Sequence, residues 1–219
     1  MGNRVEAAKA GLVLLAGRLR AFRIDPAEWT FIVAADGGAR HALEQDVMPD
    51  HVIGDFDSLS PEDERRLLSA GVPFTRLPAD KDMTDGEAAL QWAIAERAAE
   101  LIVVAGGLGG RFDHSLGSVI LLEQLAQAGV DGFVTDGLQQ VYLLKDGLAV
   151  PGLPGDQLSI VPLTDKVEGV SVHGVRWPLR DATLDAASTL TVSNEFVDNV
   201  ASFTVRRGRA VVVRVPARD

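Results

Sequence analysis

Asp55 and Asp57 in the segment VIGDFDSL stand two residues apart. In an extended chain they face the same way, and Gly54 before them gives the backbone room to turn. Hard divalent cations such as Mg2+ take oxygen ligands, usually one or two carboxylates completed by phosphate oxygens and water. The same residues also fit an Asx turn and a helix cap ahead of SPEDE. A second acidic group, PADKDMTDGEAAL, holds Asp80, Lys81, Asp82, Thr84 and Asp85. Asp82 and Asp85 lie about one turn apart at the start of an expected helix, with Thr84 as its cap. Carboxylates there complement the positive helix end, which accounts for one or two of them but not for so many. Lys81 is the one cation of the group, either a point charge for a phosphate or a solvated loop lysine in a weak surface pair.

Two further segments combine glycine with charge. ADGGA places Asp36, Gly37 and Gly38 between an apolar run and a helix-length stretch. Such a turn lets backbone N–H groups approach an anionic or ribosyl ligand; it is also how a plain strand-to-helix turn looks. GGLGGRFDHSLG follows the apolar run LIVVA, and four of its first five residues are glycine, including Gly107 and Gly110. A phosphate can come close to such a loop, Arg111 can clamp its oxygens with a planar fork, and Asp113 can hold that arginine or a metal. His114 reads as a cap or hydrogen-bonding residue rather than a base. The loop is neither a GxGxxG dinucleotide fingerprint nor a GKS/GKT phosphate loop, and no serine sits in a GxSxG elbow. Carboxylates for Mg2+, a lysine, an arginine and glycine turns are the parts of phosphoryl or diphosphoryl transfer.

The elements that must position these groups follow from the apolar pattern. From about Leu12 to Thr135, strand-length apolar runs alternate with amphipathic segments of helix length, the rhythm of a parallel sheet covered by helices. Strands are expected at Leu12–Ala16, Phe31–Ala35, His51–Ile53, Phe74–Leu77, Leu101–Ala105 and Phe133–Thr135. Helices are expected near Gly38–Gln45, Pro61–Ala70, Thr84–Ala99 and His114–Ala128, with Ser60 and Pro61 as N-cap and first residue and Gly71 and Gly129 as stops. The four charged clusters then fall at strand ends, where open α/β sheets bind ligands. After Gly137 the pattern becomes short alternating segments, QQVYLLKDG, DQLSIVPL, GVSVHGVRWPL, STLTVSNEF, ASFTVRRG and RAVVVRVP, which indicate an antiparallel sandwich or roll. The expected division is an α/β domain over residues 1–137 and a β-sandwich over 138–219.

Bulk properties narrow the partners. The 219 residues carry 31 acidic and 21 basic side chains, a net charge of -10, and no cysteine. That charge disfavours nucleic acid unless basic residues cluster, and the missing cysteine excludes disulfides and thiolate sites and fits a reducing cytoplasm. No apolar run approaches the roughly 20 residues that span a bilayer, so no membrane partner is expected, and the start of the chain reads as a buried strand rather than a signal peptide.

ADGGA, GDFDS, DKDMTD and GGLGGRFDH, in this order and at these intervals, resemble the motifs of the thiamine pyrophosphokinase family. GVRWPLRDATL and STLTVSNEF resemble its thiamine-binding β-domain, although the link RDATLDAA departs from the pattern. The resemblance implies transfer of the diphosphate of Mg-ATP to the hydroxyl of thiamine, in a homodimer with active sites between subunits. It implies Asp55, Asp57 and Asp85 as Mg2+ ligands. Asp57, Lys81, Asp85 and Arg111 become the catalytic group, and Asp36, Gly37, Asp82, Thr84, Gly107, Gly110, Asp113 and His114 line the ATP and diphosphate site. Ser188, Thr191, Ser193 and Asn194 approach thiamine, while Trp177 is read as a core or interface residue outside the site. The rival readings are a diphosphokinase for another alcohol, such as a hydroxymethylpterin, and a non-catalytic thiamine or nucleotide binding module. STLTVSNEF argues against the first, and the full set of charges argues against the second.

Overall fold

The structure is a computed structural model that describes residues 10–96 and 99–217, so the end of the helix expected over Thr84–Ala99 lies partly outside the described residues. The chain divides into two compact units, residues up to Gly137 and residues from Leu138.

The first unit is a parallel sheet of β1 (Ala10–Leu14), β2 (Phe31–Ala35), β3 (His51–Gly54), β4 (Phe74–Arg76), β5 (Leu101–Ala105) and β6 (Asp131–Thr135). Their order is β6-β5-β1-β2-β3-β4. β1, β2 and β5 are buried along nearly their whole length. Their sequences are continuous apolar runs rather than alternating ones, as a sheet covered on both faces requires. The order runs one way from β1 to β4 and then returns to the other side of β1 with β5. A topological switch point therefore lies between β1 and β5, on the edge where the strands end.

Five helices connect these strands: α1 (Ala39–Leu43), α2 (Pro61–Ser69), α3 (Asp85–Glu96), α4 (Phe112–Ile120) and α5 (Leu122–Ala128). Ser60 caps α2 by accepting from the Asp63 N–H at 3.1 Å, with Pro61 in the first helical position. Gly129 ends α5 in the left-handed conformation, φ 71°. The single helix expected over His114–Ala128 is instead two. It begins earlier, at Phe112, and is interrupted at Leu121. Ser115 and Ser118 donate their hydroxyls to the carbonyls of Arg111 and His114, each four residues back, a pattern that bends helices.

The second unit has two antiparallel sheets. One contains β12 (Asn194–Glu195), β9 (Gln157–Pro162), β14 (Ala210–Val215) and β7 (Gln140–Leu144) in that order. The other contains β11 (Leu179–Asp185), β10 (Lys166–His173), β13 (Val200–Thr204) and β8 (Gly147–Pro151). β13 alternates exposed and buried residues, the period-2 signature of a half-covered strand. The architecture is α/β with a β-sandwich, in agreement with the sequence. One local expectation fails and another is narrowed. STLTVSNEF is mostly turn and bend, with strand pairing at Asn194–Glu195 and a single bridge from Phe196 to Val175, whereas the link after Leu179 is the strand β11. Of the two readings of Trp177, core or interface, the core one is excluded: it is 57% exposed, with the Arg176 guanidinium 5.2 Å from its ring.

The end of β14 is tied down by an ion pair. Asp156 is 3% exposed and accepts from Arg214 Nε and NH2 at 2.9 and 2.7 Å and from the N–H groups of Leu153 and Ala217. Burial pushes its carboxyl upward, but these donors outweigh burial and hold it below the usual carboxylate range. A depressed folded pKa means stability that is present above the unfolded pKa of about 3.9 and lost as pH falls through the folded value. Asp156→Asn should cost about 3 kcal/mol in urea unfolding at pH 7, because Arg214 loses its ionic partner. The gap from wild type should narrow when the titration is repeated below about pH 4.

Candidate active site

Each of the four motif clusters sits just beyond the end of a strand, and parallel pairing puts those ends on one edge. β2 and β3 are in register with Ala35 opposite Ile53, so Asp36 and the Gly54–Asp55 step leave the sheet side by side. Asp36 opens a 3-10 turn over Asp36–Gly38 and holds φ 45°. That conformation costs a non-glycine residue about 1 kcal/mol or more, and such strain concentrates at functional positions. Gly54 permits the close approach. A Cβ there would lie 2.8 Å from the Asp36 Cβ and 3.3 Å from the Asp85 carboxylate.

Asp55 and Asp57 do converge, but not by extended-chain geometry. Phe56 between them has φ 68°, and its ring turns inward, 8% exposed, onto Phe74 with centroids 4.9 Å apart. The Asp57 N–H then donates to Asp55 Oδ1 at 3.3 Å in an Asx turn. The metal-type pairing and the turn are thus the same structure rather than alternatives. Asp36, Asp55 and Asp57 each present an oxygen within 4.8 Å of the others.

The donor set fits a hard dication. Asp36 is 6% exposed; its Oδ2 accepts from the Ser58 N–H at 3.3 Å, and its Oδ1 is buried without a partner. Burial raises its pKa most; the Ser58 bonds oppose that shift, and the charges of Asp57 and Asp85 add to it. Ionised Asp36 is therefore disfavoured in the bare fold, and a cation would relieve the penalty. Asp85, the expected third ligand, sits at the start of α3 beside this group and is engaged by Lys81, whose Nζ lies 3.1 Å from its Oδ1 and 3.6 Å from Asp55 Oδ2. Burial lowers the lysine pKa, but the hydrogen bond and charge of Asp85, followed by Asp55, outweigh it and leave Lys81 above its ordinary value. Lys81 also donates to the Pro78 carbonyl at 3.3 Å.

Other expected residues divide by what they touch. Thr84 caps α3, its Oγ1 accepting from the Glu87 N–H at 3.1 Å. Asp82 is exposed and has no partner among the described residues. Arg111 forms a two-pronged pair with Asp113, at 3.1 Å from Nε and 2.6 Å from NH2. That bond is the chief reason the Asp113 carboxyl falls to about 2. Gly107 is buried, Gly110 is open at φ 83°, and His114 is exposed. In the second unit, Thr191 donates to the Ile160 carbonyl at 2.7 Å, and Asn194 exchanges bonds with both backbone groups of Trp177. Ser188 accepts from the Leu190 N–H, and the Ser193 N–H donates to Ser159. Thr191 and Asn194 thereby shape the loop, while the hydroxyl of Ser193 is exposed.

Profiles of known families match both units. The one described as "Thiamin pyrophosphokinase, catalytic domain" covers residues 27–134, and "Thiamin pyrophosphokinase, vitamin B1 binding domain" covers 149–209. The chain belongs to the thiamin pyrophosphokinase family. It is 27% identical over 191 residues to the thiamine pyrophosphokinase of Bacillus subtilis, covering 85% of this chain and 88% of that one. A relative in Caenorhabditis elegans, thiamin pyrophosphokinase 1, is 28% identical over 175 residues, 74% of this chain and 70% of its own. The crystal structure of thiamin pyrophosphokinase from Geobacillus thermodenitrificans superposes with a TM-score of 0.83 at 29% identity, covering 96% of this chain and 99% of that chain.

Within this member of the thiamin pyrophosphokinase family, three site features escape sequence reading. Ser58 ties Asp36 to Asp57, donating its N–H to one and its hydroxyl to the other at 2.9 Å; its place within GDFDS was the available signal. Arg18 follows β1 beside the glycine loop, where a Cβ on Gly109 would meet its Cβ at 3.4 Å, and it is exposed without an ion-pair partner among the described residues. Nothing local marks it. Arg76, at the end of β4, reaches the Asp55 backbone. Gly54→Ala should be strained as well as crowded, since φ is 159° and the new Cβ would lie 2.8 Å from the Asp36 Cβ and 3.3 Å from its Cα, and it should lower activity at least about tenfold by displacing Asp36. Circular dichroism beside a thiamine diphosphate assay checks this, and wild-type turnover in the variant would remove the close-approach argument.

Proposed function

We propose that this chain transfers the terminal diphosphate of Mg-ATP to the hydroxyl of thiamine, giving thiamine diphosphate and AMP. The observation that carries this reading is the buried, unpartnered Asp36 Oδ1 converging with Asp55 and Asp57 beside Lys81, in a chain of this family. The profile match over 149–209 favours thiamine over a pterin alcohol. The retained charges favour an enzyme over a binding module.

Asp36, Asp55 and Asp57 would hold Mg2+, with Asp85 adjacent; when bound, the ion supplies charge neutralisation to the polyphosphate oxygens. The thiamine hydroxyl oxygen attacks the β-phosphorus in line, the bond to the α-phosphate oxygen breaks, and AMP leaves. Lys81 remains an ammonium throughout, because Asp85 and Asp55 hold its pKa up. It therefore serves as fixed positive charge for the transferring group and not as a base. Asp57, exposed and accepting at Oδ1 from the Ser58 hydroxyl, is open to receive the thiamine proton, and a loose transition state asks little of that acceptor. Arg111 can exchange the carboxylate of Asp113 for phosphate oxygens at little cost, since one two-pronged partner replaces another. Asp82, Thr84, Gly37, Gly107, Gly110 and His114 would line the nucleotide, and Ser188, Thr191, Ser193 and Asn194 the thiamine loop.

A cytoplasmic homodimer with active sites at the subunit interface completes the proposal. Among the described residues no helix is long and apolar enough to cross a membrane. Phe112, Leu116 and Ile120 are exposed at four-residue spacing on α4, and Leu190 is 81% exposed in the second unit. Apolar surface of that kind is expected where a second copy docks. Light scattering should give twice the 23.3 kDa chain mass, and Phe112→Asp should shift the population toward monomer.

Phosphorus NMR with Mg-ATP and thiamine tests the reaction directly. AMP and thiamine diphosphate should accumulate without ADP; ADP would mean a simple kinase, and turnover only with a pterin alcohol would install the rival. Asp57→Asn and Lys81→Met should each lower kcat by about 100-fold or more with the fold intact. Arg111→Lys should also be impaired, because an ammonium cannot reproduce the fork.

A further inference from the structure

The convergence of Asp55 and Asp57 depends on a residue conformation that the two aspartates do not enforce. Phe56 must hold φ 68° with its ring turned inward, and the peptide joining it to Asp55 must be fixed in that turn. Arg76 meets both demands. Its NH1 donates to the Asp55 carbonyl at 2.9 Å, and its guanidinium carbon lies 4.6 Å from the centroid of the Phe56 ring, which also makes an edge contact with Phe74. Arg76 is itself fixed. It lies directly opposite Gly54 in the β3–β4 pairing, the next residue, Leu77, donates its N–H to the Gly54 carbonyl at 2.8 Å, and Glu64 of α2 takes NH2 at 3.2 Å.

We infer that Arg76 is a positioning residue of the metal-binding loop, holding the Asp55–Phe56 peptide in the turn that lets Asp55 and Asp57 address one dication. The inference rests on the reading of Asp36, Asp55 and Asp57 as the Mg2+ group. Two interactions set the guanidinium in place at once, a hydrogen bond to a carbonyl and a stack over an aromatic face. Lysine can offer a charge to either but not the planar geometry for both.

Electrostatics alone predicts the opposite sign. Arg76 is a cation near a site for a dication, so deleting it would, by repulsion relieved, tighten metal binding. Positioning requires that binding weaken. Mn2+ alone, titrated into the full-length protein and followed by electron paramagnetic resonance, reads this without turnover. Arg76→Gln should raise the Mn2+ Kd by about tenfold, the loss typical of an outer partner of a metal ligand. Arg76→Lys should fail to restore it, and Glu64→Gln should give a smaller loss. Thermal melts of the metal-free variants should stay near wild type, since Arg76 is largely exposed. Unchanged or tighter Mn2+ binding in Arg76→Gln overturns the inference and leaves the proposed function standing. If wild type takes up no Mn2+, the inference and the three-carboxylate site fall together.

Discussion

Like-charge repulsion is the constraint around which the α/β unit is arranged. Asp36, Asp55 and Asp57 bring oxygens within 4.8 Å of one another, and the charges of Asp57 and Asp85 add to the burial that raises the Asp36 carboxyl. Asp36 carries the burden most directly, because burial already favours its neutral form. The surrounding fold supplies the compensation available without a metal. Ser58 donates to Asp36 and Asp57, Lys81 lies between Asp55 and Asp85, and Arg76 holds the Asp55 carbonyl. The proposed dication would supply the remainder, so stability would be surrendered at the place where charge stabilisation is required of the site.

This arrangement needs a rigid frame, and the parallel sheet provides one. β1, β2 and β5 are buried on both faces, so their ends cannot drift relative to one another without opening a packed core. Strained residues are tolerated only when the surroundings over-determine them. Asp36 and Phe56 both hold positive φ at such ends. The glycine loop after β5 completes the same edge, carrying Arg111 already oriented by Asp113.

The second unit answers a different demand. Its sheets need an anchored last strand, and the Asp156–Arg214 pair gives β14 one. Its turn at Ser188–Asn194 is held by Thr191 and Asn194 through bonds to neighbouring backbone, which leaves apolar Leu190 and Val192 outward. Residues named for thiamine recognition thus divide into those that shape the loop and those, such as Ser193, whose hydroxyl is free to meet a ligand.

The sequence by itself determined the alternation of strands and helices, the change to antiparallel strands, the four charged clusters and the family that carries them. Those are local or periodic properties: apolar runs fix burial, Ser60-Pro61 and Gly129 fix helix ends, and motif residues keep their spacing. Only the tertiary structure decided how the clusters combine. Asp55 and Asp57 meet because Phe56 turns inward onto Phe74, not because extended residues alternate. Asp36 joins them because β2 and β3 end in register, while Asp85 is occupied by Lys81. RDATLD became a strand because it pairs with β10, whereas of STLTVSN only Asn194 finds a strand partner, on β9. Arg76 and Arg18 left no local trace, since a lone arginine acquires its role from whichever backbone the fold sets beside it.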